Sequence, residues 1–218
     1  MFWICCILLS ASAIALTDSE ELKQINKVAQ FYGERAGKRV DAWRQLINNI
    51  APNDESAKLA EVNTFFNQLI FIDDIKLWGK TDYWATPLEF LGAAAGDCED
   101  FSIAKYFTLR ELGIADNKLR LVYVKALKPN QFHMVVAYYP TPSAVPLLLD
   151  NLDGEIKPAN ERPDLLPIYS FNGSKLWLMK QKGQGQLAGN SSRLSLWNDL
   201  RQRSNHIQLH RPNINFDK

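Results

Sequence analysis

The amino-acid sequence predicts an α+β domain in which helices come first and an antiparallel sheet follows. From Asp18 to about Leu69, apolar residues recur every three or four positions, the spacing of a buried helix face. From Leu119 onward the texture changes to short runs rich in Val, Leu and Tyr, separated by turn residues. The two textures do not alternate along the chain, which argues against a βαβ protein with a parallel sheet.

The helical half divides by its apolar faces. Leu22, Ile25, Val28 and Ala29 form one and Val40, Trp43, Leu46 and Ile47 a second. After a break at Ala51-Pro52-Asn53-Asp54, Leu59, Val62, Phe65, Phe66 and Leu69 form a third. Two or three packed helices are expected. Between Phe71 and Pro87 lies an aromatic loop whose Trp78, Tyr83 and Trp84 either pack under the next helix or line a groove. That next helix starts near Asp97 and runs to Leu112, with Gly113 as its C-cap. Phe101, Ile103, Ala104, Phe107, Leu109 and Leu112 leave it little polar surface, so it belongs at the centre of the domain.

Strands are expected at Leu119–Val124, His133–Tyr139, Pro146–Asp150, Pro167–Phe171 and Lys175–Met179. Lys182 to Gln186 reads as a flexible connector and Ser192 to Arg203 as a last helix.

The N-terminus is of a different kind. Phe2 to Leu16 are almost wholly apolar, end in Ala11-Ser12-Ala13-Ile14-Ala15 and give way to Thr17-Asp18-Ser19-Glu20-Glu21. Residues 1–16 are therefore expected to be a cleaved secretory signal peptide, because a membrane span needs ~20 apolar residues. No Lys or Arg precedes the run, as expected if translation starts further upstream. Cys5 and Cys6 would leave with the signal. The mature chain would then carry one thiol, Cys98, into an oxidising compartment without a disulfide framework. Its stability must come from its core, for which 46% hydrophobic and 11% aromatic content over 218 residues is sufficient. A net charge of +1 without a basic block argues against nucleic acid as a partner.

Cys98 lies in Gly96-Asp97-Cys98-Glu99-Asp100, at a helix start whose dipole and free N–H groups favour a thiolate. A nucleophile also needs a base. Of the histidines, His133 opens a strand, whereas His206 and His210 belong to a polar C-terminal tail. If strands 133–139 and 146–151 form a hairpin, His133 faces Asp150 directly, with Cβ atoms ~5 Å apart. Cys98, His133 and Asp150 would then serve as nucleophile, base and orienting carboxylate. Taken singly each has an ordinary reading: a small buried hydrophobe, a strand histidine, a turn-initiating Asp before Asn151. Their joint arrangement favours catalysis.

The acids around the thiol oppose it. Asp97, Glu99 and Asp100 suit a helix N-cap and first turn, yet their charges disfavour a thiolate. A divalent cation with oxygen ligands would resolve the conflict, and Ca²⁺ is the natural choice outside the cytoplasm. Asp97 and Glu99 are the expected ligands, with Asp100 a weaker candidate. His206 and His210 have the spacing of two metal ligands on one helix face. They lack the acidic residue of a zinc-protease motif, and Pro212 follows closely, so the spacing reads as chance.

The stretches Trp78-Gly79, Asp82-Tyr83-Trp84-Ala85-Thr86-Pro87-Leu88-Glu89-Phe90, Gly96 to Phe101, Lys105-Tyr106, His133-Met134-Val135 and Leu149-Asp150-Asn151-Leu152 closely resemble the bacterial transglutaminase-like cysteine proteinases of the LapG type. The resemblance runs from about Ile72 to Trp177; the N-terminal helices are only generically similar. It implies a papain-like or transglutaminase-like fold and a periplasmic protease whose Cys, His and Asp fall on Cys98, His133 and Asp150. It also implies calcium-binding acids at Asp97 and Glu99. The family's substrate is a large cell-surface adhesin, cut at a paired-alanine site near its N-terminus, which disperses biofilm. Its inhibitory partner is an inner-membrane cyclic-di-GMP receptor with a periplasmic domain. Two other classes share the features: an acyl transferase using the same triad, and a non-enzymatic periplasmic module docking a receptor. The expected domains are the signal peptide at 1–16, an N-terminal helical lobe at 17–70, a catalytic α+β lobe at 71–205 and a tail at 206–218.

Overall fold

The computed structural model describes residues 18–51, 54–179 and 185–217. The expected signal peptide and most of the connector at 182–186 lie outside the described residues. Three helices open the chain: α1 (Asp18–Tyr32), α2 (Glu34–Asn49) and α3 (Glu55–Phe66). Apolar spacing alone does not mark the break between α1 and α2. Gly33 makes it, at a φ of 118° that L-residues rarely adopt. Asp54 caps α3 by accepting the Ala57 N–H at 2.9 Å.

Two short parallel strands, β1 (Ile70–Phe71) and β2 (Ala95–Gly96), then close a loop on itself. Inside that loop are α4 (Asp74–Leu77) and α5 (Pro87–Ala93). No helix is expected at α5 from apolar periodicity, although Thr86-Pro87-Leu88-Glu89 encodes its start. Thr86 Oγ1 accepts the Glu89 N–H, Glu89 accepts the Thr86 N–H at 2.9 Å, and Pro87 occupies the first turn. The central helix α6 (Cys98–Glu111) stands where expected, and Gly113 follows it at a φ of 86°.

The sheet is antiparallel throughout. Its strands are β3 (Leu119–Ala126), β4 (Gln131–Tyr138), β5 (Leu147–Leu149), β6 (Lys157–Pro158), β7 (Leu165–Phe171), β8 (Lys175–Met179) and β9 (Gly185–Asn190), in the order β6-β5-β4-β3-β7-β8-β9. The five inner strands are those expected; the two edges are not. An edge strand needs only one apolar neighbour, so β6 accommodates Pro158 and β9 is Gly-rich without an apolar run.

Leu119, Leu121, Met134, Val136, Leu149 and Phe171 turn one sheet face into the core with α6. Val122, Val124, Val135, Ala137, Leu148 and Leu165 form a smaller cluster on the other. The main core is continuous from Val28 in α1 to Leu200 in α7 (Ser195–His206), so the N-terminal helices share it with the sheet. Among the described residues, no helix is long and apolar enough to cross a membrane.

Trp197 of α7 links these parts, 1% exposed and in ring contact with Tyr106, Phe107 and Phe171. Trp197→Ala is expected to lower stability by ~3–5 kcal/mol in urea unfolding, with a loss under ~1 kcal/mol arguing against this anchoring.

Candidate active site

The pairing of β1 with β2 delivers the chain to the head of α6. Ile72 donates its N–H to Gly96 O at 2.9 Å, and Asp97 then caps the helix, accepting the Glu99 N–H at 3.2 Å. Gly96 is required by packing, because a Cβ there would lie 2.4 Å from Asp100 Oδ2 and 2.8 Å from a Phe90 ring carbon. Asp100 is fully buried and accepts the Ala85 N–H at 2.7 Å, which ties the aromatic loop to the helix start. Trp78, Tyr83 and Trp84 are buried in that loop, and Trp84 stacks on Phe171. They pack the core rather than line an open groove.

Cys98 is the first residue of α6 and 8% exposed. Its thiol donates to Glu99 Oε2 at 2.7 Å. Burial raises the thiol pKa well above its ordinary value, and the charges of Glu99 and Asp97 raise it further; the Met134 N–H, hydrogen-bonded to sulfur, opposes them. Without another positive charge the group rests as a thiol. One turn on, Ser102 Oγ donates to Met134 O at 2.8 Å, so α6 is fastened to β4 beside His133.

His133 and Asp150 meet, though not as the direct pair expected. Val136 stands opposite Leu149, and the same register carried one residue further brings Asp150 level with Val135, two positions from His133. A shift of two keeps both side chains on one face, and the imidazole reaches the carboxylate diagonally. His133 Nε2 lies 2.7 Å from Asp150 Oδ1, with both residues 1% exposed. Oδ1 also accepts the Leu152 N–H at 3.0 Å, so Asp150 serves the turn and the histidine together. Arg162 Nη2 approaches Oδ2 at 2.9 Å, and Asn67 holds the Asp150 main-chain carbonyl at 2.9 Å. Burial pushes the carboxyl up. The hydrogen bond and charge of His133, the Leu152 N–H and Arg162 outweigh it, holding the group at about 2.

The acidic cluster has a further member. Asp74, at the start of α4, is buried and accepts the Tyr83 N–H at 2.5 Å through Oδ2, while its buried Oδ1 has no hydrogen-bond partner. Carboxylate oxygens of Asp74, Asp97 and Asp100 lie within 4.8 Å of one another, as do ligand atoms of Asp97, Cys98 and Glu99. None of these acids is ion-paired among the described residues. Burial first, then mutual repulsion, raises Asp97 and Asp100 well above the carboxylate range, and Asp74 is pushed up to about 7. An all-oxygen donor set with an orphaned buried oxygen fits a hard cation such as Ca²⁺. Sequence spacing alone did not find Asp74, although the Asp73-Asp74 pair is visible; only the pairing of β1 with β2 brings it to Asp97.

Residues 17–180 match the family model of the bacterial transglutaminase-like cysteine proteinase BTLCP. The chain belongs to this family. The EGTA-treated structure of Legionella pneumophila LapG is 41% identical, with a TM-score of 0.75 over 88% of this chain and 99% of that one. The calcium-bound structure of Legionella pneumophila LapG is 42% identical, with a TM-score of 0.72 over 84% and 98% respectively. A search of curated proteins gives no match. The mixed architecture with its antiparallel sheet is the transglutaminase-like cysteine proteinase fold.

Two of the proteinase's histidines stand away from this site. His206 ends α7 with Nδ1 2.9 Å from Gln202 O, whereas His210 lies beyond the helix against Glu89 and Tyr83. The spacing that suggested a metal pair places them on different partners.

The proteinase also buries Lys105, two turns along α6 from Cys98 and 1% exposed. Burial lowers its pKa from 10.5 to about 7 against the opposing charge of Asp150. Between those values the unfolded chain binds a proton that the folded chain does not, so this lysine makes stability rise with pH, by at most ~1.4 kcal/mol per unit. Lys105→Met is expected to remove that rise when urea unfolding of variant and wild type is compared from pH 7 to about 10. Parallel curves across the window would place the lysine in water.

Proposed function

We propose that this proteinase is a calcium-dependent endopeptidase exported to the periplasm, where it cuts the N-terminal region of a large cell-surface adhesin at a paired-alanine site and so disperses biofilm. The observation that carries the reading is the buried His133–Asp150 pair, with Cys98 at the head of a helix that is fastened to β4 at Met134, the residue after His133. Because Nε2 is engaged by Asp150, Nδ1 is the nitrogen left to take the Cys98 proton. Sulfur then attacks the scissile carbonyl, and the main-chain N–H of Cys98, in the first turn of α6, contributes to binding the oxyanion. The imidazolium returns its proton to the leaving amine. Water, deprotonated by His133, hydrolyses the thioester and restores the thiol. Asp150, ionised above about pH 2, keeps the ring oriented and stabilises its charged form.

Asp97 and Glu99 would hold the ion, with Asp100 a weaker ligand and Asp74 offering a further carboxylate oxygen within 4.8 Å of Asp97 and Asp100. When bound, calcium supplies the positive charge that the thiolate and these carboxylates lack. A LapG that binds calcium supports this assignment. The apolar segment at 1–16 supports export, and the family resemblance supports inhibition by an inner-membrane cyclic-di-GMP receptor through its periplasmic domain.

The test is cleavage of an adhesin's N-terminal segment by the purified mature chain, with calcium and with EGTA. Cleavage between paired alanines is expected only with calcium. Cys98→Ala should abolish it, and His133→Ala and Asp150→Ala should each slow it by about 10²-fold or more. Processing by Cys98→Ala at the wild-type rate would sink the catalytic assignment. Transfer to an added primary amine in place of hydrolysis would make the chain an acyl transferase.

A further inference from the structure

The chain beyond α7 is fastened at several points to the loop that presents Asp74. Ile207 ends α7 in the left-handed region, at a φ of 46°, and turns the chain back across the molecule. His210 donates its N–H to Glu89 at 3.1 Å, and its Nδ1 lies 2.8 Å from the Tyr83 hydroxyl. Its carbonyl accepts the Tyr32 hydroxyl at 2.6 Å. Asn213 donates its N–H to the carbonyl of Leu77, the last residue of α4, at 2.6 Å. It lies so close to Gly79 that a Cβ there would be 2.9 Å from Asn213 Nδ2. Further on, Asp217 pairs with Arg39 of α2 at 2.7 Å.

These contacts hold the C-terminal end of α4 at Leu77 and the far end of the following loop at Tyr83. Asp74 begins α4; Leu77 ends it; Tyr83 donates its N–H back to Asp74 Oδ2 at 2.5 Å. Among the described residues, the segment makes no hydrogen bond or ion pair to Cys98, His133 or Asp150. Asp74 needs such a grip. Its carboxylate is buried with oxygens of Asp97 and Asp100 within 4.8 Å, and like charge at that distance favours retreat of the loop.

We propose that residues 207–217 form a strap whose role is to position the acidic loop of the cation site, holding Leu77 and Tyr83 from behind so that Asp74 stays in the cluster. The proposal rests on the calcium reading above. A preorganised ligand loop loses less entropy when the ion binds, so the strap acts on ion affinity and leaves the chemistry of the triad alone.

The experiment compares the mature chain with a truncation ending at His206, by calorimetric Ca²⁺ titration and by adhesin cleavage over a calcium series. Calcium affinity is expected to fall by roughly tenfold or more, with kcat at saturating calcium unchanged. Equal affinities would overturn the strap and leave the calcium reading standing. Absence of binding by either chain would overturn both. A loss of activity equal at all calcium levels would also overturn the proposal, because it would mark a merely structural segment. If the truncation does not fold, the double variant His210→Leu/Asn213→Pro, which cuts the bonds to Tyr83 and Leu77 within the full chain, gives the same readout.

Discussion

Buried negative charge at the head of α6 constrains everything around it. Carboxylate oxygens of Asp74, Asp97 and Asp100 lie within 4.8 Å of each other, and Glu99 shares ligand distance with Asp97 and the Cys98 sulfur. At an effective dielectric of 20, two unit charges at that separation repel by about 3–4 kcal/mol. A helix N-terminus offers ~0.3–1 kcal/mol to a nearby anion, rising to ~2 when partly buried. The dipole of α6 therefore cannot stabilise the cluster and the thiolate together. The surroundings respond as that imbalance requires: burial and mutual repulsion push Asp97 and Asp100 upward, and the thiol gives its proton as a hydrogen bond to Glu99.

Asp150 shows how far environment, rather than residue type, sets the outcome. It is as buried as Asp100, yet Arg162, His133 and a backbone N–H surround it, and its carboxyl is held at about 2. One half of the site thus favours an ionised carboxylate, while in the other half burial and repulsion push the acids upward. The imidazole has its carboxylate partner in place, whereas the thiol faces a carboxylate that holds its proton.

The sequence made legible what short-range pattern determines. The apolar wrap of Phe101, Ile103, Ala104 and Leu109 identified α6, and alternating runs identified the five inner strands. Cys98 at a helix start, with His133 and Asp150 across one hairpin, followed from the same reading. What escaped it depends on partners far along the chain. Asp74 joins the cluster through the pairing of β1 with β2, and Arg162 reaches Asp150 from a loop without periodicity. The two-residue slip between His133 and Asp150 could not be read from spacing, because two residues is the period of a strand and either register presents the same face. The edges β6 and β9 were missed because an edge carries little apolar signal.

The two halves of the site also differ in what supports them. His133 and Asp150 stand on adjoining strands of a seven-stranded sheet, braced by Asn67 from α3 and by Arg162. Asp150 directly follows β5, so the register of the sheet places its carboxylate at the imidazole. The acids stand on a capped helix start and on a loop kept in place by a two-residue parallel pairing and by backbone hydrogen bonds to Asp74 and Asp100. The acidic half thus depends on a packed loop and its fastening to His210 and Asn213, the imidazole–carboxylate half on the sheet. A cation drawn into that cluster would change the state of the thiol while leaving the base as it is. On the proposed reading, activity would then follow the charge placed beside Cys98, with the sheet behind His133 unchanged.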